Sequence, residues 1–519
     1  MVLDIMVLLL FIASMVFIAV YTRKKANTAD DFLLAGKKGV NGWMSAFSYG
    51  TTYFSAVIFI GYAGKFGWNF GLSAIWIGVG NAFIGGLLAW MLLAKRTKNM
   101  TNRLSAKTMP DFFEKRYNSP FLKKISAILI FVMLIPYAAS VYNGLGNLFQ
   151  AMFGFNETQG LFVIVGLALL TALYLVFGGY FATSLSDFVQ GIIMLLGVAV
   201  MVIFFMINDK VQGFAGLNEL SSNGFGLFPA YGDKGFLSSP LIVLISLILL
   251  TSVGVYGLPQ TVHKYYAVRD KKAIMQGTVV STIFAFIVGV SAYFIGSLGH
   301  LFYTEVQTIG GTDNIVPQML NKVIPSGFKG LIAVLVLSAS MSTLASVALA
   351  SSSVLSIDLY KGSINKNASD KAVTLTMRIT CIVFVILSVA IAILNKKYQI
   401  SAIAYLMGLS WGTLSGCFFG PFVLGLYNKK LTKAGAISSV IGGIVLTAVL
   451  IVVFGGITAG FDSGFGAILK NGVNNSPIIG VICMAFSIII TIVVSLFTQK
   501  PDDKVIENAF DKKIENVIE

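Results

Sequence analysis

Thirteen long apolar segments run along the chain, separated by shorter polar stretches. They lie near residues 3–22, 41–63, 71–94, 125–149, 160–178, 183–207, 240–262, 274–302, 330–355, 377–395, 400–426, 434–456 and 477–498. A helix needs about 20 residues to cross the hydrocarbon core of a bilayer, and most of these segments reach that length. The pattern predicts an all-α polytopic membrane protein with 13 transmembrane helices.

The gaps between the segments differ in their content of Lys and Arg. If the N-terminus lies outside, the cytoplasmic gaps and the C-terminal tail, together with Arg378 at the cytoplasmic edge of its segment, hold 29 of the 37 basic residues. Because cytoplasmic loops are enriched in Lys and Arg, this asymmetry predicts an external N-terminus and a cytoplasmic C-terminus. The gap 95–124 is the most basic, and we expect a short surface helix within it, near 110–117.

Two of the segments are unusually polar for a membrane interior. In the second segment the polar stretch is Ser48 to Ser55, and in the seventh it is Thr251 to Gln260, which contains two glycines and a proline. The two segments are five apart, so they run in opposite directions. Interrupted helices at matching positions of inverted repeats are typical of a transport site at the bilayer midplane.

This symmetry predicts a single transmembrane domain over residues 1–498. We expect an extra N-terminal helix (1–25), a first inverted repeat (41–207), a second inverted repeat (240–426), two C-terminal helices (434–498) and a short cytoplasmic tail (499–519). In the first apolar run the basic residues follow the run instead of preceding it, so we expect a retained helix and not a signal peptide.

Composition agrees with the membrane assignment. The 519 residues are 56% hydrophobic and 11% charged, with a mean hydropathy of +0.84. The formal charge of +15 lies in alternate loops, so we expect the lipid bilayer, and not nucleic acid, as the partner. Three cysteines, Cys381, Cys417 and Cys483, fall within apolar segments and are expected to be small core residues.

The sequence does not favour an enzyme. Its two histidines, His263 and His300, are predicted at opposite membrane faces, and we find no paired-histidine zinc motif, phosphate loop or nucleophile elbow.

A group of hydroxyl side chains interrupts the ninth segment at Ser340, Ser342 and Thr343. The last two stand three and four residues after Ala339, so one helix face presents a carbonyl and two hydroxyls. Oxygen ligands of this kind suit a weakly charged, hard cation. The alternative is that the hydroxyls bond to carbonyls of their own helix or allow close helix packing.

Asp187 is a carboxylate well inside an apolar segment, in the stretch 184–190. A buried charge is costly unless compensated. The sequence shows no intramembrane Lys or Arg to pair with it, so we expect a bound cation or a proton. The alternative is that Asp187 lies close enough to the cytoplasm to be solvated.

Several motifs, in this order, resemble the sodium/solute symporter family, which includes bacterial proline, pantothenate, sialic acid and galactose transporters. They are Thr28-Ala29-Asp30-Asp31-Phe32, Tyr53-Phe54-Ser55-Ala56, Phe177-Gly178-Gly179 with Ser184 to Gln190, Gly257-Leu258-Pro259-Gln260, Ser340-Met341-Ser342-Thr343-Leu344, and Ser351-Ser352-Ser353 with Asp358-Leu359-Tyr360-Lys361. The resemblance implies a LeuT-type fold of five plus five inverted helices, with sodium as the co-transported ion.

The resemblance also implies sodium ligands. For the first ion they are the carbonyls of Thr51, Phe54 and Ala339 and the hydroxyls of Ser342 and Thr343. A second site found in some members would use Asp187 with hydroxyls of the Ser342 helix, including Ser340. Ala339 stands where sialic acid transporters have a further serine of that site.

The substrate is expected to lie between the broken helices and the third and tenth core helices. The candidates are Ser55, Asn81, Tyr137, Tyr256, Gln260, Ser410, Trp411 and Thr413, and ordinary helix packing is the alternative for each. Tyr137 replaces the carboxylate-binding arginine of sialic acid transporters, and Tyr53 replaces an acidic residue of proline transporters. Without that arginine, the substrate is expected to be proline or another small amino acid.

We therefore expect a sodium-coupled symporter in a bacterial plasma membrane, which imports a small organic solute by alternating access as a monomer or weak homo-oligomer. The alternatives are import of sialic acid, a sugar or pantothenate by the same fold, a proton-coupled carrier with Asp187 as the proton site, and a membrane sensor.

Overall fold

The computed structural model describes residues 2–23, 28–36, 39–229, 239–398 and 402–510, and its regular elements there are helices. The α-helices are α1 (Val2–Thr22), α2 (Ala29–Leu34), α3 (Gly42–Tyr53), α4 (Ala63–Phe70), α5 (Ile75–Gly80), α6 (Lys95–Leu104), α7 (Met109–Tyr117), α8 (Pro120–Phe153), α9 (Glu157–Met206), α10 (Phe214–Leu220), α11 (Pro240–Ser252), α12 (Pro259–Ala267), α13 (Lys271–Ser297), α14 (Gly299–Phe302), α15 (Ile315–Val323), α16 (Lys329–Ser353), α17 (Asp370–Tyr398), α18 (Ile403–Val423), α19 (Lys433–Ala459), α20 (Phe465–Asn474), α21 (Ser476–Phe497) and α22 (Asp503–Phe510).

Shorter helical turns continue several of these helices. Segments of π-helix are Val57–Tyr62, Asn81–Leu88, Trp90–Ala94, Ser221–Phe225 and Val354–Ile364, and 3-10 turns are Gly71–Ala74, Gly254–Gly257, Gln307–Ile309, Thr312–Asn314 and Leu424–Leu426.

Eleven helical runs within the described residues are long and apolar enough to span a membrane, which confirms an all-α polytopic protein. The number differs from the thirteen predicted segments because two runs are long. One covers 57–104, which holds part of the second segment and all of the third. The other is α9, which holds both the fifth and the sixth.

The 50-residue α9 is broken at Gly179, where φ is +56° and ψ is −152°. Only glycine adopts this conformation readily. The position also lacks room, because a Cβ atom there would lie 2.8 Å from the carbonyl oxygen of Phe32. Phe32 belongs to α2, the short helix that packs on α9 and whose N-terminus is capped by Thr28 and Asp31. The predicted boundary between segments five and six therefore coincides with a real change in helix direction.

Both predicted helix interruptions are present. Helix α3 ends at Tyr53, and Phe54 is extended (φ −107°, ψ +103°) before the chain turns helical again. Helix α11 ends at Ser252, and Leu258 is extended before Pro259 begins α12. Proline has no amide hydrogen and disfavours a helical residue before it, which explains the second break.

Helix α16 lies at the centre of the molecule. Nearly all of its residues are buried, and it packs against α1, α3, α8, α9 and α17. The outer helices differ, since α1, α17 and α19 expose large apolar side chains along one side. A helix that is buried all round can carry polar side chains inward without placing them in lipid.

The predicted helix near 110–117 is present as α7, capped by Thr108 with Pro110 in its first turn. Its expected surface position was wrong, because α7 packs on α8 and seven of its nine residues are buried. The predicted tail contains α22, which packs on α6 and α7 with Ala509 buried. The rest of the tail (511–519) and residues 24 and 25 lie outside the described residues. The three cysteines are buried and free, as expected.

Candidate cation and solute site

Two hydroxyls of α16 face the broken end of α3. Ser342 Oγ lies 2.9 Å from the carbonyl oxygen of Thr51 and 3.1 Å from that of Ala339. Thr343 Oγ1 lies 3.0 Å from Ala339 O, 3.2 Å from Thr52 O and 3.3 Å from Thr51 O. Two hydroxyls and three carbonyls thus converge between the two helices.

The break in α3 explains why the carbonyls of Thr51 and Thr52 are available. Carbonyls in the last turn of a helix lack amide partners four residues ahead. The hydroxyls of Ser342 and Thr343 supply the missing hydrogen bonds, and both side chains are fully buried. Neutral oxygens that can turn toward a cation from an unwound helix are the ligands by which transporters hold sodium. We call this group the hydroxyl cluster.

Four of the five predicted sodium ligands meet in this cluster: Thr51, Ala339, Ser342 and Thr343. Phe54, the fifth, is buried at the C-terminal cap of α3, three residues after Thr51. Sequence reasoning missed the carbonyl of Thr52. Its position in the final turn before the break was the signal that could have identified it.

Asp187 has a partner that the sequence analysis did not foresee. Lys264 Nζ lies 3.6 Å from Asp187 Oδ2, and Ser48 Oγ donates a 2.5 Å hydrogen bond to the same oxygen. Asp187 is 0% exposed and Lys264 is 1% exposed. Two expectations were therefore wrong: that no Lys or Arg is available to the carboxylate, and the alternative that water solvates it.

The error came from the end of the seventh segment. Hydropathy ends near residue 262, so Lys264 was counted with the cytoplasmic loop. The break at Gly257 lets a new helix, α12, start late and continue to Ala267, and this carries Lys264 into the protein interior. The aromatic pair Tyr265-Tyr266 directly after it was the available signal.

Ser340, predicted for the second sodium site, donates a 2.6 Å hydrogen bond to the carbonyl of Val336 on its own helix. The α16 hydroxyl that reaches the Asp187 region is Ser346, which accepts a 2.8 Å hydrogen bond from Lys264 Nζ.

Two of the predicted substrate residues form an aromatic contact near the first break. The rings of Tyr137 (α8) and Trp411 (α18) meet edge to face at 5.7 Å, and Tyr53 stacks on Trp411 at 6.1 Å. The Tyr137 hydroxyl and the Trp411 Nε1 are buried and have no hydrogen-bond partner among the described residues. Buried polar atoms are normally satisfied, so these two are candidate ligand contacts.

The other substrate candidates fall into two groups. Both side-chain amide atoms of Gln260 and Asn81 Nδ2 are also buried without a partner in the described structure. The remaining hydroxyls already have backbone partners: Ser55 accepts from Val57 N, Tyr256 donates to Ile84 O, Ser410 to Met133 O and Thr413 to Leu409 O.

Tyr53 of α3 bonds directly to α11, the other broken helix, and Asn81 in the segment Asn81–Leu88 also bonds to α11. Asn81 Oδ1 accepts hydrogen bonds from Thr251 (2.8 Å) and Ser252 (3.0 Å), and Tyr53 Oη donates a 2.5 Å bond to Thr251 O. The breaks therefore lie side by side, as a shared midplane site requires.

The model of the sodium:solute symporter family matches residues 32–443. The chain belongs to this family. The protein is accordingly a multi-pass membrane transporter and not an enzyme, and sodium is its co-transported ion.

Curated relatives cover most of the chain. The osmoregulated proline transporter OpuE of Bacillus subtilis is 28% identical over 84% of this chain and 86% of its own length. A sodium/proline symporter of Staphylococcus aureus is 29% identical over 96% of this chain and 93% of its own length.

Among solved structures, a Na+-coupled sialic acid symporter in a substrate-bound, outward-open state matches with a TM-score of 0.74. The match covers 96% of this chain and 99% of that one, at 21% identity, and it shows that the two share a fold.

Proposed function

We propose that this symporter imports proline, or another small amino acid, with sodium across a bacterial plasma membrane by alternating access. Two curated relatives that span most of the chain are named for proline transport. The contact between Tyr137 and Trp411 is the feature of the site that carries the proposal.

Tyr137 and Trp411 offer what a small zwitterion needs. A phenol O–H and an indole N–H are uncharged donors that can bind a carboxylate, and aromatic faces can cover an apolar ring. An acidic sugar would be held best by a bidentate arginine, and a tyrosine stands at the corresponding position. The site therefore favours an amino acid over sialic acid, and the names of the two relatives favour an amino acid over a neutral sugar or pantothenate.

Sodium bound at the hydroxyl cluster would couple its own inward movement to that of the solute. The ligands are the carbonyls of Thr51, Phe54 and Ala339 with the hydroxyls of Ser342 and Thr343. They belong to two helices, α3 and α16, and a cation shared by two helices favours the conformation that keeps them together. Loss of sodium to the cytoplasm would let the helices separate and release the solute.

We infer 13 transmembrane helices, with α9 crossing twice about Gly179, an external N-terminus and a cytoplasmic C-terminus. The inverted repeats are 41–207 and 240–426, between an extra N-terminal helix (1–25) and two C-terminal helices (434–498), and the protein acts as a monomer or weak homo-oligomer.

The test is thermal stabilisation of the purified protein by amino acids, sugars, sialic acid and pantothenate, each in sodium or in potassium. A ligand that binds only the folded state raises its stability by mass action. We expect proline to raise the melting temperature in sodium and much less in potassium. Stabilisation that is equal in the two salts would favour the proton-coupled or sensor alternatives. Stabilisation by a sugar or by pantothenate, and by no amino acid, would identify that compound as the substrate in place of proline.

A further inference from the structure

The ammonium group of Lys264 occupies a built site between four helices. It donates to Ser48 Oγ of α3 at 2.7 Å and to Ser346 Oγ of α16 at 2.8 Å, and it lies 3.6 Å from Asp187 Oδ2 of α9. The face of the Tyr180 ring lies 5.3 Å away. Two hydroxyl oxygens, a carboxylate and an aromatic face thus surround one positive charge.

This site lies next to the hydroxyl cluster. Ser48 precedes Thr51 and Thr52 by about one turn of α3, and Ser346 follows Ser342 by about one turn of α16. A helical turn advances about 5.4 Å, so the ammonium lies about that far along both helices from the cluster. Thr52 connects the two levels, since its carbonyl faces Thr343 and its hydroxyl lies 2.8 Å from Ser346 Oγ.

We propose that the Lys264 ammonium is a resident cation that stands in for a second sodium ion beside Asp187, so that one sodium ion accompanies each solute. The inference rests on the proposed sodium-coupled import. A second sodium at Asp187 would need the carboxylate and hydroxyl oxygens that the ammonium already contacts, and it would meet a positive charge there. These residues therefore do not fit a second sodium.

One oxygen of the carboxylate, Asp187 Oδ1, has no hydrogen-bond partner among the described residues. Sodium at this oxygen is the competing arrangement. It would place two positive charges on one buried carboxylate and would leave a net charge of +1 in the interior, whereas the ion pair of Lys264 and Asp187 is neutral. Because uncompensated buried charge is unfavourable, the neutral pair is preferred.

The number of sodium ions can be measured as a reversal voltage. Wild-type protein is placed in proteoliposomes with equal sodium on both sides and a tenfold proline gradient, and the voltage that stops net proline flux is found. A tenfold gradient is about 1.4 kcal/mol. At about 2.3 kcal/mol per charge per 100 mV, one sodium balances it at about 60 mV and two at about 30 mV. We expect about 60 mV. A value near 30 mV would overturn the resident cation while leaving sodium-coupled import intact, and flux that needs no sodium would overturn both.

Substitutions test the role of the lysine itself. Lys264→Met leaves Asp187 without its counter-charge, so sodium should take the vacated position and the reversal voltage should fall to about 30 mV. Lys264→Arg keeps the charge, so its reversal voltage should stay near 60 mV. The double variant Lys264→Met, Asp187→Asn removes both charges, and its reversal voltage should also stay near 60 mV. A Lys264→Met carrier that still reverses near 60 mV would overturn the inference, and if this variant does not fold, the wild-type value decides.

Discussion

The hydroxyls of Ser342 and Thr343 were identifiable from the sequence because helical spacing places them on one face with the carbonyl of Ala339. Their partners on α3 came only from the resemblance to the symporter family, since the polar stretch before Ser55 predicted a broken helix and no particular carbonyl. Lys264 was not identifiable in the same way, because its burial depends on where α12 ends, and hydropathy gives no sign of a helix that continues past an apolar segment. Side-chain pairing across α3, α9, α12 and α16 is a tertiary property that no single segment contains.

At this scale, the double variant Ser342→Ala, Thr343→Ala tests the cation site. It removes both hydroxyl oxygens from the hydroxyl cluster. We expect the sodium concentration for half-maximal proline uptake to rise at least tenfold, since a lost contact to a charged group costs about 1.5–3 kcal/mol. Uptake measured against sodium concentration gives the result. Ser353→Ala, which removes a hydroxyl bonded to Ala350 on the same helix, is the control and should not change it.

Tyr137→Phe tests the solute site. The substitution keeps the ring against Trp411 and removes only the hydroxyl, which has no partner among the described residues. We expect KM for proline to rise about tenfold, the loss of one hydrogen bond to a charged ligand. Sodium binding measured without proline should be unchanged. A KM equal to that of the wild type would show that the substrate carboxylate does not bind the Tyr137 hydroxyl, and that Tyr137 contributes only to helix packing.

At the scale of elements, the broken helices were predictable because their causes are local. Pro259 keeps Leu258 extended and starts α12, and the polar run before Ser55 weakens α3. The count of spanning runs was harder to foresee. Only the short gap 179–182 separates the fifth and sixth apolar segments, and the helix continues through it as α9 with a turn at Gly179.

Gly179→Ala tests that turn. The backbone at this position is unfavourable for any residue with a Cβ by about 1–3 kcal/mol, and the Cβ would also lie too close to Phe32 O. We expect a lower melting temperature of the purified protein. The matched control is Gly166→Ala in the same helix, where nothing lies within 4 Å of the added Cβ, and it should leave the melting temperature unchanged or raise it. Equal melting temperatures for the two variants would contradict the assigned turn.

At the scale of the whole molecule, α16 and its continuation connect three levels of polar contacts. The hydroxyl cluster comes first, the Lys264 ammonium lies about one turn farther along, and Asp358 follows in the 354–364 segment. Asp358 accepts a 2.7 Å hydrogen bond from Thr108 and lies 3.7 Å from Lys123 Nζ. A movement of α3 relative to α16 would therefore change contacts at the cation site and at the next level together, which is how ion binding can bias a conformational equilibrium.

The free energy gained when sodium moves inward limits the solute gradient that the transporter can build. One sodium moving inward gains about 2.3 kcal/mol per 100 mV, which supports roughly a fifty-fold solute gradient from voltage alone. A carrier with one sodium per solute therefore relies on the sodium gradient to accumulate more.

The most direct test of sodium-coupled import is proline accumulation by proteoliposomes under two separate gradients. An inward sodium gradient without a pH gradient should drive accumulation above the external concentration. An inward proton gradient of the same size in sodium-free potassium buffer should not. Accumulation driven by protons without sodium would contradict the account, because the hydroxyl cluster would then have no ion to couple.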